Sequence, residues 1–463
     1  MVKKGLFQDF VSRNFFYPNI SELSHHRSDE PKRFAYLPRA AELKKICFPK
    51  VMDVTRFAHA PMTSGIPRVV RQLVMQAQSQ GVVLAIWHGA RLVPVSCDPN
   101  GKITFPSEFW KRPPKPFSPQ KYFVRLMSSP FWFAAMGMVF RFWPLRTAGK
   151  ILLAFARRLT SGVPRTFIST EGLQYFLPEI PAADTTERLF VALQNEPDMK
   201  INVLVHDLLP LSNPYHFDRE STVEFLSYLQ LVSKAKNLVV GSPVLGDQLK
   251  LFLSALGVGD GSKVSVRDLP IGRFEFDEAK RQKPQVRERS ALFIGGFQSR
   301  KGLPVAAELF SREPVGKLVL NVVGIPNPTD ALQVKLFRQI REFSNVNLVG
   351  NLSDEDLSAH ISEASVVMYL SGAEGYGLPV IEGLAAGKPV VCLDTPINNY
   401  FQRKYGGLFL VPHIDGQYSE VNLFDALIRS QSERFVRPKN LPQDGISWAQ
   451  EVFKDVFSDE QDT

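Results

Sequence analysis

Residues 366–391 read VVMYLSGAEGYGLPVIEGLAAGKPVV, and this pattern predicts a strand, a glycine-rich loop, a helix and a second strand. Such a βαβ unit places its strand-to-helix loop at the carboxyl edge of a parallel sheet, where open α/β sheets bind ligands. Two carboxylates, Glu374 in the loop and Glu382 in the first turns of the helix, are separated by seven residues. Glycines let the backbone approach a ligand closely, and free N–H groups at a helix start attract anions. Considered singly, each Glu could equally be structural, because a carboxylate near a helix start complements the helix dipole.

This E-x7-E element, with Gly-x-Gly-Leu-Pro between its carboxylates, resembles the donor site of retaining GT-B glycosyltransferases of family four (group 1), in particular the polysaccharide-assembling, mannosyltransferase-like members. The resemblance implies an α/β fold of two Rossmann-like, doubly wound parallel-sheet domains that face a cleft. It implies that Glu374 contacts the transferred sugar and that Glu382 holds the nucleotide ribose. The donor-binding loop between them consists of Gly375, Tyr376, Gly377 and Leu378. Tyr376 stands where the family usually has Phe, which leaves the backbone role intact.

Two loops of the N-terminal half match cleft-lining elements of the same family. Gly65 and Arg68 stand at a predicted strand-to-helix turn and match its Gly-Ile-x-Arg loop, although a glycine there could simply serve the turn. His206 and Asp207 follow a predicted buried strand and match its His-Asp-Leu-x-Pro element. An isolated His-Asp pair in such a position is more often structural. The resemblance instead implies a catalytic role for His206 near the reacting sugar, with Asp207 supporting it or contacting the acceptor.

A pair of cations stands in the predicted second domain. A predicted strand at 291–294 runs into Gly295 and Gly296, and Arg300 and Lys301 follow before a helix. Arg offers a bidentate fork and Lys a point charge, so the pair beside a helix start fits a diphosphate. Surface Arg-Lys pairs are common, and the pattern alone is weak evidence. The resemblance implies that Arg300 and Lys301 bind the donor pyrophosphate.

The acidic triplet Asp354-Glu355-Asp356 raises the question of a metal, because such a triplet binds a metal–nucleotide complex in another glycosyltransferase fold class. Here it follows Ser353 and begins a segment of helical periodicity, so helix capping explains it. No other cluster of His, Cys or carboxylate residues in the sequence has metal-ligand spacing. We therefore predict no metal, and no cofactor besides the nucleotide-sugar substrate.

The length of the chain predicts at least two domains, since a single hydrophobic core rarely supports 463 residues. Strand–helix alternation and turn residues divide the chain into an N-terminal extension, a first Rossmann-like domain with an insertion, a second Rossmann-like domain and a terminal helix. Their boundaries are 1–48, 49–273 with the insertion 109–170, 274–440 and 441–463. The resemblance implies that the first domain binds the acceptor and the second the nucleotide sugar. It also implies that the terminal helix crosses back onto the first domain.

Positive charge is concentrated in the insertion. Between Phe109 and Thr170 the chain has eleven Lys and Arg residues and no Asp or Glu, whereas its overall formal charge is +9, so the remainder carries −2. Interleaved aromatic residues suit this stretch to an anionic membrane surface, although they could instead be core residues beside solvated charges. Its apolar run PFWFAAMGMVF is shorter than the roughly 20 residues that span a bilayer. Nucleic acid is not expected as a partner, because no binding motif is present.

Cysteine usage and the N-terminus bear on the compartment. The three cysteines are widely spaced, which argues for a reducing compartment, and the N-terminus lacks the apolar run of a secretory signal. We predict a cytoplasmic protein that associates peripherally with the inner face of the membrane.

The functional prediction is a retaining, metal-independent hexosyltransferase. It would move mannose or a similar hexose from a GDP- or UDP-linked donor to a growing, lipid-linked polysaccharide or glycolipid acceptor, in lipopolysaccharide or capsule synthesis. Two alternatives stay open, because a fold alone does not fix a function. One is a nucleotide-sugar epimerase or sugar phosphorylase on the same fold. The other is a non-catalytic, membrane-associated assembly partner.

Overall fold

The computed structural model describes residues 44–59, 65–105, 166–258, 264–271, 289–312, 315, 318–414, 416–433, 435–442 and 444–458. The described residues form two α/β domains, each built on one sheet. The predicted basic insertion lies outside them except for 166–170, and so does most of the predicted N-terminal extension.

The sheet of the first domain has ten strands among the described residues. These strands are β1 (Lys44–Ile46), β2 (Lys50–Asp53), β3 (Val83–His88), β4 (Arg91–Cys97), β5 (Ile103–Thr104), β6 (Thr166–Ile168), β7 (Gln174–Leu177), β8 (Lys200–Val205), β9 (Asn237–Val240) and β10 (Val264–Val266). Their order is β1-β6-β4-β3-β2-β7-β8-β9-β10, with β5 paired to β4. The described helices of this domain are α1 (Gly65–Ala77), α2 (Ala183–Asn195), α3 (Leu209–Ser212), α4 (Arg219–Ser233) and α5 (Pro243–Ala255).

The first sheet is mainly parallel, as the sequence predicts, and includes one antiparallel strand among the described residues. Strand β4 runs antiparallel to β3, β5 and β6, while β2, β7, β8, β9 and β10 pair in parallel. The short turn at Gly89, which has a positive φ of 60°, joins β3 to β4 as a hairpin. A hairpin needs only two residues between strands, whereas a parallel crossover needs a dozen or more, so this part of the sheet cannot be doubly wound.

Two predicted boundaries need correction. Lys44–Ile46, assigned to the N-terminal extension, forms β1, and Thr166–Ile168, assigned to the insertion, forms β6. The two strands pair with each other in parallel at the edge of the first sheet. Each has only three residues, too few for an alternating pattern to be recognised in the sequence.

The sheet of the second domain has six described strands, all parallel, in the order β13-β12-β11-β14-β15-β16. They are β11 (Ser290–Ile294), β12 (Val319–Val323), β13 (Val346–Gly350), β14 (Val366–Tyr369), β15 (Val390–Leu393) and β16 (Leu408–Val411). Its described helices are α6 (Leu303–Arg312), α7 (Ala331–Arg341), α8 (Asp354–Glu363), α9 (Leu378–Ala385), α10 (Pro396–Tyr405) and α11 (Glu420–Ser432). This is the doubly wound arrangement that strand–helix alternation predicts.

Side-chain caps determine where many of these helices begin. An Asp, Ser or Thr side chain accepts a hydrogen bond from a backbone N–H of the first turn at seven helix starts, which satisfies a donor that the helix itself leaves unpaired. These caps are Asp218, Ser242, Asp330, Ser353, Thr395, Ser419 and Asp444.

The last helix, α12 (Gly445–Phe457), packs against α1, β8 and β9 of the first domain. Phe453 and Phe457 meet the ring of Phe176 edge to face at 6.1 and 6.2 Å. Asp455 accepts two hydrogen bonds from the Arg267 guanidinium, at 2.7 and 2.9 Å. Helix α12 thus follows the second domain in sequence but packs against the first domain.

Three hydrophobic cores support this architecture. One lies within the first domain, one lies within the second domain, and one is continuous across both domains and includes α12. No helix among the described residues combines the length and the apolar character needed to cross a bilayer. All three cysteines are free thiols: Cys47 is exposed, Cys97 half-buried and Cys392 buried.

Candidate active site

A cleft of about 460 Å³ lies between the two domains, at the carboxyl ends of β8, β11 and β14. The structure brings all twelve residues that the sequence nominates for the site together in its lining. From the first domain these are Gly65, Arg68, His206 and Asp207, and from the second Arg300, Lys301, Glu374, Gly375, Tyr376, Gly377, Leu378 and Glu382. Parallel strands place the loops that follow them at one edge of each sheet, and here the two edges face each other.

Glu374 lies at the centre of a cluster of donors. Its Oε1 accepts hydrogen bonds from Arg300 Nη1 at 2.5 Å, from Ser371 Oγ at 2.6 Å and from the Lys301 ammonium. Burial alone would raise the pKa of this carboxyl, but Lys301 and Arg300, with the hydrogen bonds of Lys301 and Ser371, hold it at about 2. Glu374 is therefore ionised at every physiological pH.

The two cations are held in place by the second domain. Arg300 Nη1 also donates to the carbonyl oxygen of Ala373 at 3.0 Å. Lys301 Nζ donates to the Tyr369 hydroxyl at 3.1 Å and lies 4.9 Å from the centroid of that ring. Burial lowers the pKa of Lys301, against the opposing effect of Glu374. The cluster of one carboxylate and two cations carries a net positive charge that faces the cleft.

Gly375 lies at one of the points where the two domains come into contact. A Cβ atom built on Gly375 would lie 2.1 Å from the carbonyl oxygen of His206 and 2.6 Å from the Cβ of Asp207. Both distances are far shorter than real carbon contacts, and one obstacle is backbone, so only glycine fits between these loops. The sequence suggests that Gly375 lets the backbone approach a ligand closely. In this structure the backbone at Gly375 closely approaches the loop of His206 and Asp207.

His206 is buried, with 7% of its surface exposed. Its Nε2 contacts the carbonyl oxygen of Pro178 at 2.7 Å, and since a carbonyl only accepts, Nε2 carries the proton. Burial lowers the pKa of the imidazole to about 4, although the bond to Pro178 opposes this. His206 is therefore neutral at pH 7, with its lone pair on Nδ1.

Asp207 follows directly and stabilises the start of α3. Its Oδ1 accepts a hydrogen bond from the backbone N–H of Leu209 at 3.0 Å. Burial raises the pKa of Asp207, and the negative charge of Glu374 adds to this, while the Leu209 bond and the cations Arg300 and Lys301 act in the opposite direction.

Glu382 contacts the opposite domain. Its side chain is fully buried, and Oε1 accepts a hydrogen bond from Arg68 Nη2 of the first domain at 2.5 Å. Oε2 is buried without a hydrogen-bond partner among the described residues. Burial raises the pKa of Glu382 and the Arg68 guanidinium lowers it. Glu382 thus links the two domains through Oε1, while its Oε2 has no hydrogen-bond partner among the described residues.

Asp354 joins the same contact. Arg68 Nε lies 3.4 Å from its Oδ1, and Arg71 Nη1 lies 3.3 Å from its Oδ2. The capping interpretation also holds: the Ser353 hydroxyl accepts from the Asp356 backbone N–H at 3.1 Å. The sequence did not indicate the second use of Asp354, because its partners lie 283 and more residues away.

The remaining loop residues shape the start of α9. Gly377 precedes the helix with φ 96°, a conformation that favours glycine, and Pro379 follows in the first turn. Leu378 is half-buried, and its Cδ1 would lie 3.6 Å from a Cβ on Gly65 of the first domain. Tyr376 points into the protein, where its ring meets Phe401 edge to face at 5.0 Å. Its hydroxyl donates to the Leu269 carbonyl at 3.5 Å, a contact that Phe could not make.

Sequence reasoning missed several residues of the cleft. Ser371 and Tyr369 hold Glu374 and Lys301, and Gln298 and Asn351 line the cleft. Ser371 carried a usable signal, since it stands three residues before Glu374 in the same loop. Among the described residues, no group of three His, Cys, Asp or Glu side chains is arranged to hold a metal ion.

Comparison with known proteins agrees with this architecture. Residues 275–424 match the family model described as Glycosyl transferases group 1. O-antigen chain mannosyltransferase B of Escherichia coli is 32% identical over 108 residues, 23% of this chain and 28% of that protein. O-antigen chain mannosyltransferase RfbU of Salmonella typhimurium is 23% identical over 216 residues, 46% of this chain and 56% of that protein. The matched part of the chain thus spans less than two thirds of either relative.

Solved structures resemble both domains together. A sucrose-phosphate synthase from Thermosynechococcus elongatus has a TM-score of 0.54 and 15% identity, covering 88% of this chain and 96% of that one. Anabaena HepE in complex with UDP and glucose has a TM-score of 0.52 and 13% identity, covering 89% of this chain and 100% of that one. At such identities the likeness concerns the fold. The protein therefore has a GT-B fold, and its second domain is similar to the family described as Glycosyl transferases group 1.

Proposed function

We propose that the protein is a retaining, metal-independent glycosyltransferase that moves mannose or a similar hexose from a GDP- or UDP-linked donor to a lipid-linked saccharide acceptor. The observation that carries the proposal is the convergence of Arg300 and Lys301 on Glu374 in the cleft between the domains. This cluster offers a carboxylate for sugar hydroxyl groups and two cations for a diphosphate, the two chemical parts of a nucleotide sugar.

The charges of the cluster fit the transferase reaction. As the nucleoside diphosphate leaves, negative charge builds on its phosphates, and Arg300 and Lys301 stabilise that charge from fixed positions. This electrostatic role needs no metal. Without donor, Glu374 neutralises part of the cation charge, and a bound diphosphate would replace it as the partner of Arg300 and Lys301 and free its Oε1 for the sugar.

Glu374 orients the sugar and is not the group that takes a proton. A carboxyl with a pKa of about 2 remains ionised and is a poor base. We infer that the acceptor attacks on the face from which the diphosphate leaves, with a donor phosphate oxygen taking the acceptor proton, so that configuration is retained. His206, neutral and with Nε2 engaged by Pro178, would present its Nδ1 lone pair to a hydroxyl of the bound sugar.

Glu382 fits a ribose contact in the same scheme. Its Oε1 is engaged by Arg68, but a ribose hydroxyl could donate to Oε2 without breaking that pair. This favours a nucleotide over a simple sugar phosphate as the donor. The HepE complex, which contains UDP and glucose, and the O-antigen mannosyltransferase relatives support a nucleotide sugar and a polysaccharide product.

The acceptor and the location are inferred from sequence. The acid-free stretch 109–170 favours an anionic membrane surface, where a lipid-linked acceptor would be presented to the cleft. We therefore place the reaction at the cytoplasmic face of the membrane.

The test is a thermal-shift panel of GDP-mannose, UDP-glucose, GDP and UDP, followed by a transfer assay with and without EDTA. A ligand that binds only the native state raises apparent stability, by about 2.7 kcal/mol at one hundred times its dissociation constant. We expect one nucleotide family to stabilise the parent and Lys335→Ala alike, since Lys335 is exposed on α7, and to stabilise Lys301→Ala much less. No shift with any of the four would refute the donor site. Loss of transfer in EDTA that magnesium restores would refute metal independence.

A further inference from the structure

A second cavity, of about 610 Å³, lies in the first domain beside the donor cleft. It opens at the carboxyl ends of β2, β3 and β7 and at the start of α2, and its wall shares Ile66 with the cleft. Its volume is within the range of about 300–1,000 Å³ that is typical of small-molecule sites. None of the residues considered so far for the donor lines this cavity. Helix α1, which carries Arg68, contributes Ile66 and Pro67 to its wall.

Glu179 is the distinctive group of this cavity. It lines the cavity with only 4% of its surface exposed. A backbone N–H donated by Phe57 reaches the carboxylate, but Oε1 is buried without a hydrogen-bond partner among the described residues. An unpaired buried carboxylate oxygen is costly, so its retention points to a ligand that supplies the missing donor.

A fixed polar network forms the floor of the same cavity. Trp87 Nε1 donates to the Tyr175 hydroxyl at 2.9 Å, and that hydroxyl donates to Asp53. Asp53 is buried, and its other oxygen accepts from the Thr55 backbone N–H at 2.7 Å. These bonds hold Asp53 and the Trp87 ring in one orientation, as a binding site requires.

The cations around the cavity are already occupied. Arg56 Nη1 donates to the Ile180 carbonyl at 2.7 Å, and Arg188 Nη2 pairs with Asp184 at 2.9 Å. An anionic ligand would compete with these partners for the guanidinium groups and would lie close to the carboxyl groups of Glu179 and Asp53. A neutral polyhydroxyl ligand would instead donate hydroxyl groups to the carboxylates and lay its C–H faces on Ile66, Trp87 and Pro181.

Direct contacts between residues link the wall of the cavity to the donor cleft. Pro178, which precedes Glu179, accepts the hydrogen bond of His206 Nε2, and the backbone of His206 contacts the loop at Gly375. A ligand that contacts Glu179 would thus lie next to the peptide that holds His206.

We propose that this cavity binds a pyranose residue of the saccharide acceptor, with Glu179 accepting hydrogen bonds from its hydroxyl groups. The assignment of that sugar to an acceptor rests on the proposed function. The saccharide site itself rests only on the cavity, its unpaired carboxylate and its apolar walls.

The experiment titrates the full chain with the methyl α-glycosides of mannose, glucose, galactose and N-acetylglucosamine, using ligand-observed NMR. We expect at least one to bind. Ala182→Trp should block the cavity, because Ala182 is exposed and lines its mouth, while Ala183→Trp, exposed but outside the lining, is the matched control. Glu179→Ala should weaken binding by at least about tenfold, with Glu187→Gln, on the exposed face of α2, as its control.

Loss of glycoside binding in Ala182→Trp and Glu179→Ala, with nucleotide binding and both controls unchanged, supports the proposal. A transfer assay should then show a raised KM for acceptor in Ala182→Trp with kcat less affected. If no glycoside binds the parent, or if the variants bind as well as their controls, the proposal is overturned. Failure of every nucleotide to bind the parent would refute the proposed function separately, because the glycoside titration needs no donor.

Discussion

Replacing Arg68 by Ala should destabilise the protein in a way that depends on pH. Arg68 Nη2 is the partner of Glu382 Oε1 at 2.5 Å, and the Glu382 side chain has no exposed surface. Removing one member of a buried ion pair typically costs about 3–5 kcal/mol, because the other charge is left unpaired. Glu382 can limit this cost by taking up a proton.

The limit can be worked out from the pKa. Protonating a carboxyl with a reference pKa of 4.5 costs about 1.4 kcal/mol per pH unit above that value, so about 3.5 kcal/mol at pH 7 and about 1.4 kcal/mol at pH 5.5. In the variant the folded pKa of Glu382 is raised above its unfolded value, so the folded state binds more protons and stability falls as pH rises. The deficit should therefore be largest at neutral pH and shrink toward pH 5.

Urea denaturation of the parent and Arg68→Ala at pH 7.5 and pH 5.5 measures both deficits. Arg68→Ala combined with Glu382→Gln should recover most of the loss at the higher pH, since the second change removes the unpaired charge. Arg71→Ala is the control, because its partner Asp354 remains partly exposed to water and such pairs contribute about 0–1 kcal/mol. Equal deficits at the two pH values, or a double variant no more stable than Arg68→Ala, would show that the pair with Glu382 is not what Arg68 provides.

Four further outcomes are expected. Glu374→Gln and Lys301→Ala should each slow transfer by a factor of about 100 to 1,000 with folding preserved by circular dichroism, and near-parental rates in both would reject the donor cluster. Gly375→Ala should force the two loops apart, since its Cβ would lie 2.1 Å from a backbone oxygen, and small-angle scattering should record a larger radius of gyration; an unchanged radius with full activity would contradict this. Burial raises the pKa of Glu179 to about 7, so between about pH 4.5 and pH 7 the unfolded state loses this proton while the folded state keeps it. The stability of the parent should therefore fall by about 3 kcal/mol over that range, and the melting temperature of Glu179→Gln should lack that slope. The parent should sediment with anionic vesicles at low salt, and a variant of the stretch 109–170 should not; parental binding by that variant would remove the membrane argument. The variant carries Glu in place of Arg141, Arg146, Arg157 and Arg158.

The second domain was predictable because its signals are local. The stretch 366–391 contains β14, α9 and the start of β15 in the predicted order, and each boundary follows from a residue whose preference is intrinsic, such as Pro379 in the first helical turn. The acidic triplet was interpreted correctly as a cap for the same reason: Ser353 and Asp356 are neighbours in sequence.

The first sheet and the domain contact were less predictable because they depend on long-range pairing. Strands β1 and β6 stabilise each other across about 120 residues, and neither carries a pattern of its own. In the sequence, the only sign that strand β4 is antiparallel is the short turn before it. Arg68 and Glu382 were both nominated for the cleft, but their contact spans 314 residues, and nothing in either local sequence indicates the other.

The two carboxylates of the E-x7-E element illustrate how position, and not residue type, determines chemistry. Glu374 lies in the loop before α9 and is 14% exposed, and Glu382 lies within α9 and is fully buried, yet the pKa of the first is lowered and that of the second is raised. The difference is the number of donors: three groups donate to one oxygen of Glu374, whereas a single guanidinium serves Glu382 and leaves its second oxygen unpaired. A ligand that gives the two cations a new anionic partner and offers hydroxyl groups to both Glu374 and Glu382 would satisfy both sites at once. A nucleoside diphosphate sugar has its phosphates and its ribose hydroxyls in one molecule, so the ligand-free geometry favours that class of donor over a free sugar or an inorganic anion.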